Sequence, residues 1–185
     1  VGYSRRALEH FLAIDAPLTF SFLPDGGYTP TIARELSRSG RCVMIHLPME
    51  PEGDRKDLEP STIRVGMSVE EIKRRVNTAL AAVPGARGVN NHMGSRACTD
   101  ADVVRAVMEV VRERGLFFVD SLTSPRSRIL EVANALGVPA AERDVFLDAD
   151  TPSSADAVAG KSSGQLFQGD EAVRYHCPGH SYLPG

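Results

Sequence analysis

Five short apolar runs, separated by amphipathic helical patterns, constrain this chain more than any other feature. The runs cover residues 18–23, 42–47, 88–91, 116–120 and 144–148. They are apolar nearly throughout instead of alternating with polar residues, as expected of parallel strands buried on both faces. Between them, Thr29 and Pro30 open a helix with Ile32 and Leu36 on one face and Gly40 just past its end. Ser68 and Glu71 form a capping-box pair ahead of Val69, Ile72, Val76, Leu80 and Val83, and Pro84 with Gly85 ends that helix. Thr99 starts the next, with Val103, Val107 and Val110 on its buried stripe and Gly115 at its end. Ser124 and Pro125 begin a helix over 125–136, closed by Gly137. A β-α series of this kind implies right-handed crossovers between parallel strands. The fold class is α/β: a barrel, an incomplete barrel or an open sheet.

Two segments stand outside the series. Residues 3–14 read as a helix with Leu8, Phe11 and Leu12 on one side, so the first element is a helix where a strand is expected. Residues 149–185 are rich in Ser, Gly, Asp and Pro and carry no periodicity, which divides the chain into a β/α domain over 1–148 and a poorly patterned segment over 149–185. The polar stretch 49–67, with Pro51, Gly53 and Pro60, is long for a structureless connection, and connections of that length are usually functional or mobile.

Composition excludes several classes. Hydrophobic residues make up 42% and charged residues 24%, ordinary for a globular chain and unlike a disordered one. The formal net charge of -3 provides no general pull toward nucleic acid or an anionic membrane. No apolar run approaches the ~18 residues that a bilayer span needs, and no apolar export core follows Arg5 and Arg6. Cys42, Cys98 and Cys177 are too few for a disulfide framework.

In parallel α/β folds, functional residues sit where strands end. Here those ends carry His46 with Glu50, then Asn90, Asn91 and His92, then Asp120 and Ser121, then Asp148. Imidazole and carboxylate four residues apart suit a divalent transition metal such as zinc, and His92 would add a nitrogen from the neighbouring strand. The plainer alternative has His46 capping a strand and Glu50 solvated in a loop. Gly94 would let the backbone approach a ligand closely. Ser95 either faces that ligand or caps the following helix. Asp120 could orient a ligand histidine or act as a base. Ser124, immediately before Pro125, reads as a cap rather than a nucleophile, and Arg143 with Asp144 reads as an ion pair flanking the last strand. Three weaker signals fail. Residues 160–162 lack the glycine a phosphate loop needs, since position 155 is Ala155. His176, Cys177 and His180 have metal-like spacing but no second half. Lys73, Arg74 and Arg75 belong to a solvated helix face.

Several of these stretches together resemble the divergent polysaccharide deacetylase family: LTFSFLP at 18–24, HLPMEP at 46–51, GVNNHMGS at 88–95, FFVDS at 117–121 with SPRS at 124–127, and RDVFLD at 143–148. The resemblance implies an irregular (β/α) barrel with its first strand missing and a periplasmic or extracellular home. It also implies metal-assisted removal of acetyl groups from a carbohydrate polymer. The broader deacetylases bind zinc through an Asp and two His residues. By that likeness His46 and Glu50 are ligands, Glu50 standing where the second histidine is expected, with His92 as a further ligand. Glu50 and Asp120 are then the catalytic carboxylates. Asn90, Asn91, Ser95, Ser121 and Arg126 are the groups placed to bind substrate. The family's paired aspartates would precede Gly2 and Tyr3, so a catalytically impaired carbohydrate-binding or envelope scaffold is the alternative. His180 is a poor echo of the family's Gly-His-Pro strand end.

Overall fold

The structure, a computed structural model, describes residues 5–14 and 16–145. Its elements run α1 (Arg5–Leu12), β1 (Thr19–Phe22), α2 (Thr29–Arg38), β2 (Cys42–Met49), α3 (Val69–Ala82), β3 (Gly88–Met93), a 3-10 turn (Ala97–Thr99), α4 (Ala101–Glu113), β4 (Phe117–Asp120), α5 (Ile129–Leu136) and β5 (Ala140–Glu142). The strands form one parallel sheet in the order β1-β2-β3-β4-β5. The fold is therefore α/β, as expected. Among the described residues the sheet is open, not a closed barrel. A strand order that follows the chain with crossovers of one hand winds the sheet in a single sense, and α3, α4 and α5 pack side by side as successive neighbours.

Burial explains the patterns. Val43, Ile45, Leu47 and Met49 of β2 are almost fully buried, as are Val89 of β3 and Phe118 of β4. Helix α4 buries Val103, Val104, Val107, Val110 and Val111 in the same cluster. Each such side chain contributes ~1.5–3 kcal/mol of transfer free energy. Ser68 caps α3 by accepting from the Glu71 backbone N–H at 3.2 Å. The Glu71 carboxylate turns away to Arg74 and Arg75, so only half of the capping box forms. Helix α4 is capped by Asp100, one residue later than expected, because residues 97–99 take the 3-10 turn.

Three expectations shift. Among the described residues the last strand is Ala140–Glu142, ahead of the expected 144–148. Phe118 N–H donates to the Pro139 carbonyl at 2.9 Å, so pairing with β4 starts directly after the proline. An Ala-Ala-Glu strand carries no apolar run to announce it. Residues 143–145 form no strand, and 146–148 lie outside the described residues. Helix α5 begins at Ile129 instead of Pro125, because Ser124 accepts from Arg126 N–H and spends its hydroxyl on a turn. In α1, Leu8 is buried and Leu12 partly so, while Phe11 is half exposed. The segment 149–185, with His176, Cys177, His180 and residues 160–162, lies outside the described residues, as does Asp148. No helix among those described is long and apolar enough to cross a membrane.

The β3–β4 junction is tight at its start. A Cβ on Gly88 would stand 2.3 Å from Phe117 Cε2, inside the aromatic ring's contact distance. Gly88→Ala is expected to destabilise the protein by roughly 1–3 kcal/mol through overpacking. Adding Phe117→Leu should recover part of that loss, giving a non-additive double-mutant cycle in urea unfolding. Strict additivity would show that the ring does not limit this position.

Candidate functional site

Parallel register decides which polar groups can meet. Strand β2 pairs His46 with Asn90 and Pro48 with His92, while Ser21 of β1 pairs with Met44 and Asn90 with Val119 of β4. Side chains alternate faces along a strand. Ser21, His46, Asn90, His92 and Ser121 therefore share one face at the carboxyl ends of their strands. Asn91 and Asp120 fall on the other.

A continuous hydrogen-bond chain links the first group. Ser121 Oγ donates to the Asn91 backbone carbonyl at 2.7 Å, which commits its proton. Its lone pair then accepts from Asn90 Nδ2 at 3.3 Å. That contact turns Asn90 Oδ1 toward Ser21 Oγ, 2.5 Å away, and His46 Nδ1, 3.1 Å away. An amide oxygen only accepts, so His46 carries its proton on Nδ1 and presents the Nε2 lone pair. That lone pair faces His92 Nδ1 at 3.0 Å, with the two rings edge to face and their centroids 4.7 Å apart. Burial, and then the neighbouring His92, push the His46 imidazole down to about 4. His46 therefore resists taking up a proton at neutral pH. On its far side, His92 Nε2 lies 3.4 Å from Glu59 Oε1.

The opposite face is closed. Asn91 is fully buried: its Oδ1 accepts from Ser121 N–H at 2.7 Å, and its Nδ2 donates to the Met93 carbonyl at 2.9 Å and to Thr123 Oγ1 at 3.3 Å. It staples the ends of β3 and β4, where Met93 and Leu122 take positive φ values of 53° and 48°. Such left-handed backbone costs roughly 1–2 kcal/mol per non-glycine residue and persists only where the surroundings over-determine it. Asp120, fully buried, accepts from Leu122 N–H at 2.8 Å through Oδ1, and its Oδ2 meets no donor among the described residues. Burial, and then the charge of Asp120, push the Cys98 thiol up to about 12, so it stays protonated. A Cβ on Gly94 would lie 2.8 Å from Cys98 Sγ and 3.0 Å from Met49 Cβ. This glycine therefore serves close packing where a ligand was expected.

The structure brings His46, Asn90, His92 and Ser121 together, and it does not bring Glu50 to them. Glu50 Oε2 accepts from Val65 N–H at 2.7 Å, and Oε1 pairs with Arg96 at 2.9 Å. Both oxygens are occupied in pinning the long connection to the loop after β3. Asn91 and Asp120, expected at the rim, lie buried beneath it. Ser95 Oγ accepts from Glu52 N–H at 2.8 Å, and the exposed Arg126 pairs with Glu52 at 2.6 Å, so both contribute to a charged outer rim. No group of three His, Cys, Asp or Glu side chains arranged to hold a metal occurs among the described residues.

Sequence reasoning missed Glu59 and Ser21. Ser21 sits one residue before the end of β1, inside an apolar run where nothing marks it. Glu59 lies in the long polar stretch, whose length was the only available signal. That stretch is not structureless. Strand β1 ends opposite Ile45, leaving the edge of β2 beyond it open. Ile63 fills that edge with a parallel bridge to Met49, through Ile63 N–H to Pro48 O and Glu50 N–H to Ile63 O, each 2.8 Å.

Residues 1–166 match the model of a family described as divergent polysaccharide deacetylase. The chain belongs to that family. It is 36% identical over 155 residues to the uncharacterized protein YibQ of Escherichia coli K12, covering 84% of this chain and 48% of YibQ. It is 35% identical over 148 residues to an uncharacterized protein of Haemophilus influenzae, covering 80% of this chain and 52% of that relative. The chain thus spans about half the length of these curated relatives. The crystal structure of uncharacterized protein ATU2773 from Agrobacterium tumefaciens C58 shares the fold, with a TM-score of 0.79, 23% identity, and coverage of 88% of this chain and 66% of that one. Membership of the deacetylase family agrees with the motifs that end β2, β3 and β4.

A pH dependence follows from His46. Its unfolded value of 6.5 exceeds the folded value of about 4, so the unfolded chain binds the extra proton between those limits. Stability is therefore full above pH 6.5 and falls as pH drops toward 4, by on the order of 3 kcal/mol from this group. Urea unfolding of metal-free protein at pH 7 and pH 4 should show a smaller drop in His46→Gln than in wild type. Equal drops would mean that the imidazole is not held neutral by its surroundings.

Proposed function

We propose that this chain carries a metal-dependent hydrolase site that removes acetyl groups from a carbohydrate polymer of the cell envelope or extracellular matrix, in a periplasmic or extracellular setting. The observation that supports this reading is the pair of imidazole nitrogens, His46 Nε2 and His92 Nδ1, 3.0 Å apart on one sheet face. Two nitrogens sharing a tetrahedral ion at ~2.0–2.1 Å stand about 3.3 Å apart, so the side chains present fit a divalent cation with little movement. All-nitrogen donors favour zinc over magnesium or calcium.

When bound, zinc would polarise an acetyl carbonyl and lower the pKa of water at the site toward ~7. The remaining work falls to the chain. Asn90, held by Ser21 and Ser121, keeps the His46 lone pair aimed at the site. Burial of His46 keeps that lone pair free of a proton at neutral pH. The ion-paired rim of Glu52, Ser95 and Arg126 offers donors and acceptors of the kind that sugar hydroxyls pair with. Glu50 and Asp120 are engaged elsewhere, Glu50 by Val65 N–H and Arg96 and Asp120 by Leu122 N–H.

A second reading has one specific observation in its favour. With Glu50 engaged by Arg96 and Val65 N–H, no third ligand joins the pair among the described residues, as in a carbohydrate-binding scaffold that has lost the chemistry. Zinc titration calorimetry combined with acetate release from acetylated chitooligosaccharides and peptidoglycan separates the two. The hydrolase reading predicts zinc binding that His46→Ala and His92→Ala each weaken at least tenfold, with acetate released by wild type alone. Full zinc occupancy after loss of both histidines would refute the site. Sugar binding without acetate release would favour the scaffold.

A further inference from the structure

Tyr28 is the most exposed of the large hydrophobic side chains among the described residues, at 57%. It stands at the N-cap of α2, where Ser, Thr, Asp and Asn are favoured because their side chains accept from the first turn. Tyr28 makes no such bond. The ring therefore has no capping role to account for it.

The backbone beneath the ring is held firmly. Thr29, fully buried, donates through Oγ1 to the Leu23 carbonyl at 2.8 Å and through its N–H to the Gly26 carbonyl at 3.0 Å. Asp25 Oδ2 accepts from Ser61 Oγ at 2.5 Å. Beside the ring, Gly27 takes no positive φ, and a Cβ there would meet nothing within 4 Å. Neither backbone conformation nor packing calls for a glycine at 27. What it leaves is open space next to an exposed ring on an ordered loop, so little freedom is lost when a ligand settles there.

This loop belongs to the histidine end of the sheet. It follows β1, whose Ser21 bonds Asn90, the partner of His46. Through Asp25 it also holds Ser61, in the stretch that Arg75 braces at the Pro60 and Thr62 carbonyls and that brings Glu59 to 3.4 Å from His92. One aromatic face is too small for a protein partner, whose docking patches run to several hundred Å². Apart from Pro30, the exposed residues around it in the chain, Asp25, Gly27 and Thr31, carry no apolar side chain. A pyranose ring matches this setting. It is apolar across a face of C–H groups and polar at its hydroxyl edge, as tyrosine is apolar in its body and polar at its tip. We propose that Tyr28 is a sugar-stacking residue, binding a pyranose unit of the same carbohydrate chain that reaches the histidine pair. The proposal rests on the carbohydrate part of the reading above and not on the cation or on hydrolysis.

The test uses the full chain as wild type, Tyr28→Ala and Tyr28→Phe, with circular dichroism to confirm folding. Calorimetry measures binding of N-acetylated chitohexaose, cellohexaose and soluble peptidoglycan fragments, and acetate release is followed in parallel. Wild type should bind at least one of these, and Tyr28→Ala should weaken that binding roughly 5–20-fold, the order expected of one ring face. Tyr28→Phe keeps the ring and should stay within about twofold of wild type. Unchanged affinity in Tyr28→Ala, equal losses in both variants, or no sugar binding by wild type would each overturn the proposal. Acetate release by a protein whose sugar affinity ignores Tyr28 would leave the hydrolase reading standing and remove this one. Ring-dependent binding without acetate release would do the reverse.

Discussion

Everything at this site depends on the in-register parallel pairing of β2 and β3. Because His46 lies beside Asn90 and Pro48 beside His92, the two-residue period of the pleat sets both imidazoles on one face and Asn91 on the other. A slip of one residue would turn the histidines to the opposite, buried face and expose the staple. Register is protected from both sides. Val43, Ile45, Leu47 and Met49 fill the core beneath, and Asn91 locks the ends of β3 and β4 with bonds to Ser121, Met93 and Thr123. The same staple maintains two left-handed non-glycine residues, so backbone strain is concentrated next to the polar groups it orients.

The site has two layers with different tasks. On the open face, proton positions are passed from Ser121 to Asn90 to His46, each donor committed in turn. On the closed face, Asp120, Asn91, Cys98 and Met49 pack without access to the histidines. Residues adjacent in sequence, Asn90 with Asn91 and Asp120 with Ser121, thereby serve opposite faces.

Much of the architecture was legible in the sequence because burial leaves a pattern. Apolar runs marked β1 to β4, and the valine stripe of α4 and the Ser68 cap of α3 stood where expected. The short β5 was not legible, since Ala140 and Ala141 carry no apolar signal and the pairing is set by Pro139. At the site, strand-end position singled out His46, Asn90, His92 and Ser121. It could not separate them from Asn91 and Asp120, because facing depends on the end register of each strand. Spacing alone did not show that Glu50 would be engaged by Arg96 and Val65 N–H, because the chain beyond it runs on to a bridge at Ile63. Glu59 was hidden for a similar reason: its place depends on Arg75, Asp25 and Ile63, three contacts that no local pattern records.

If two ring nitrogens, His46 Nε2 and His92 Nδ1, converge on one cation, anomalous diffraction at the zinc edge from zinc-loaded crystals will locate it. A single strong peak is expected between the two rings, ~2.0–2.1 Å from each nitrogen, with Asn90 still bonded to His46. A peak elsewhere, or none while the two imidazoles stay in direct contact, would contradict it.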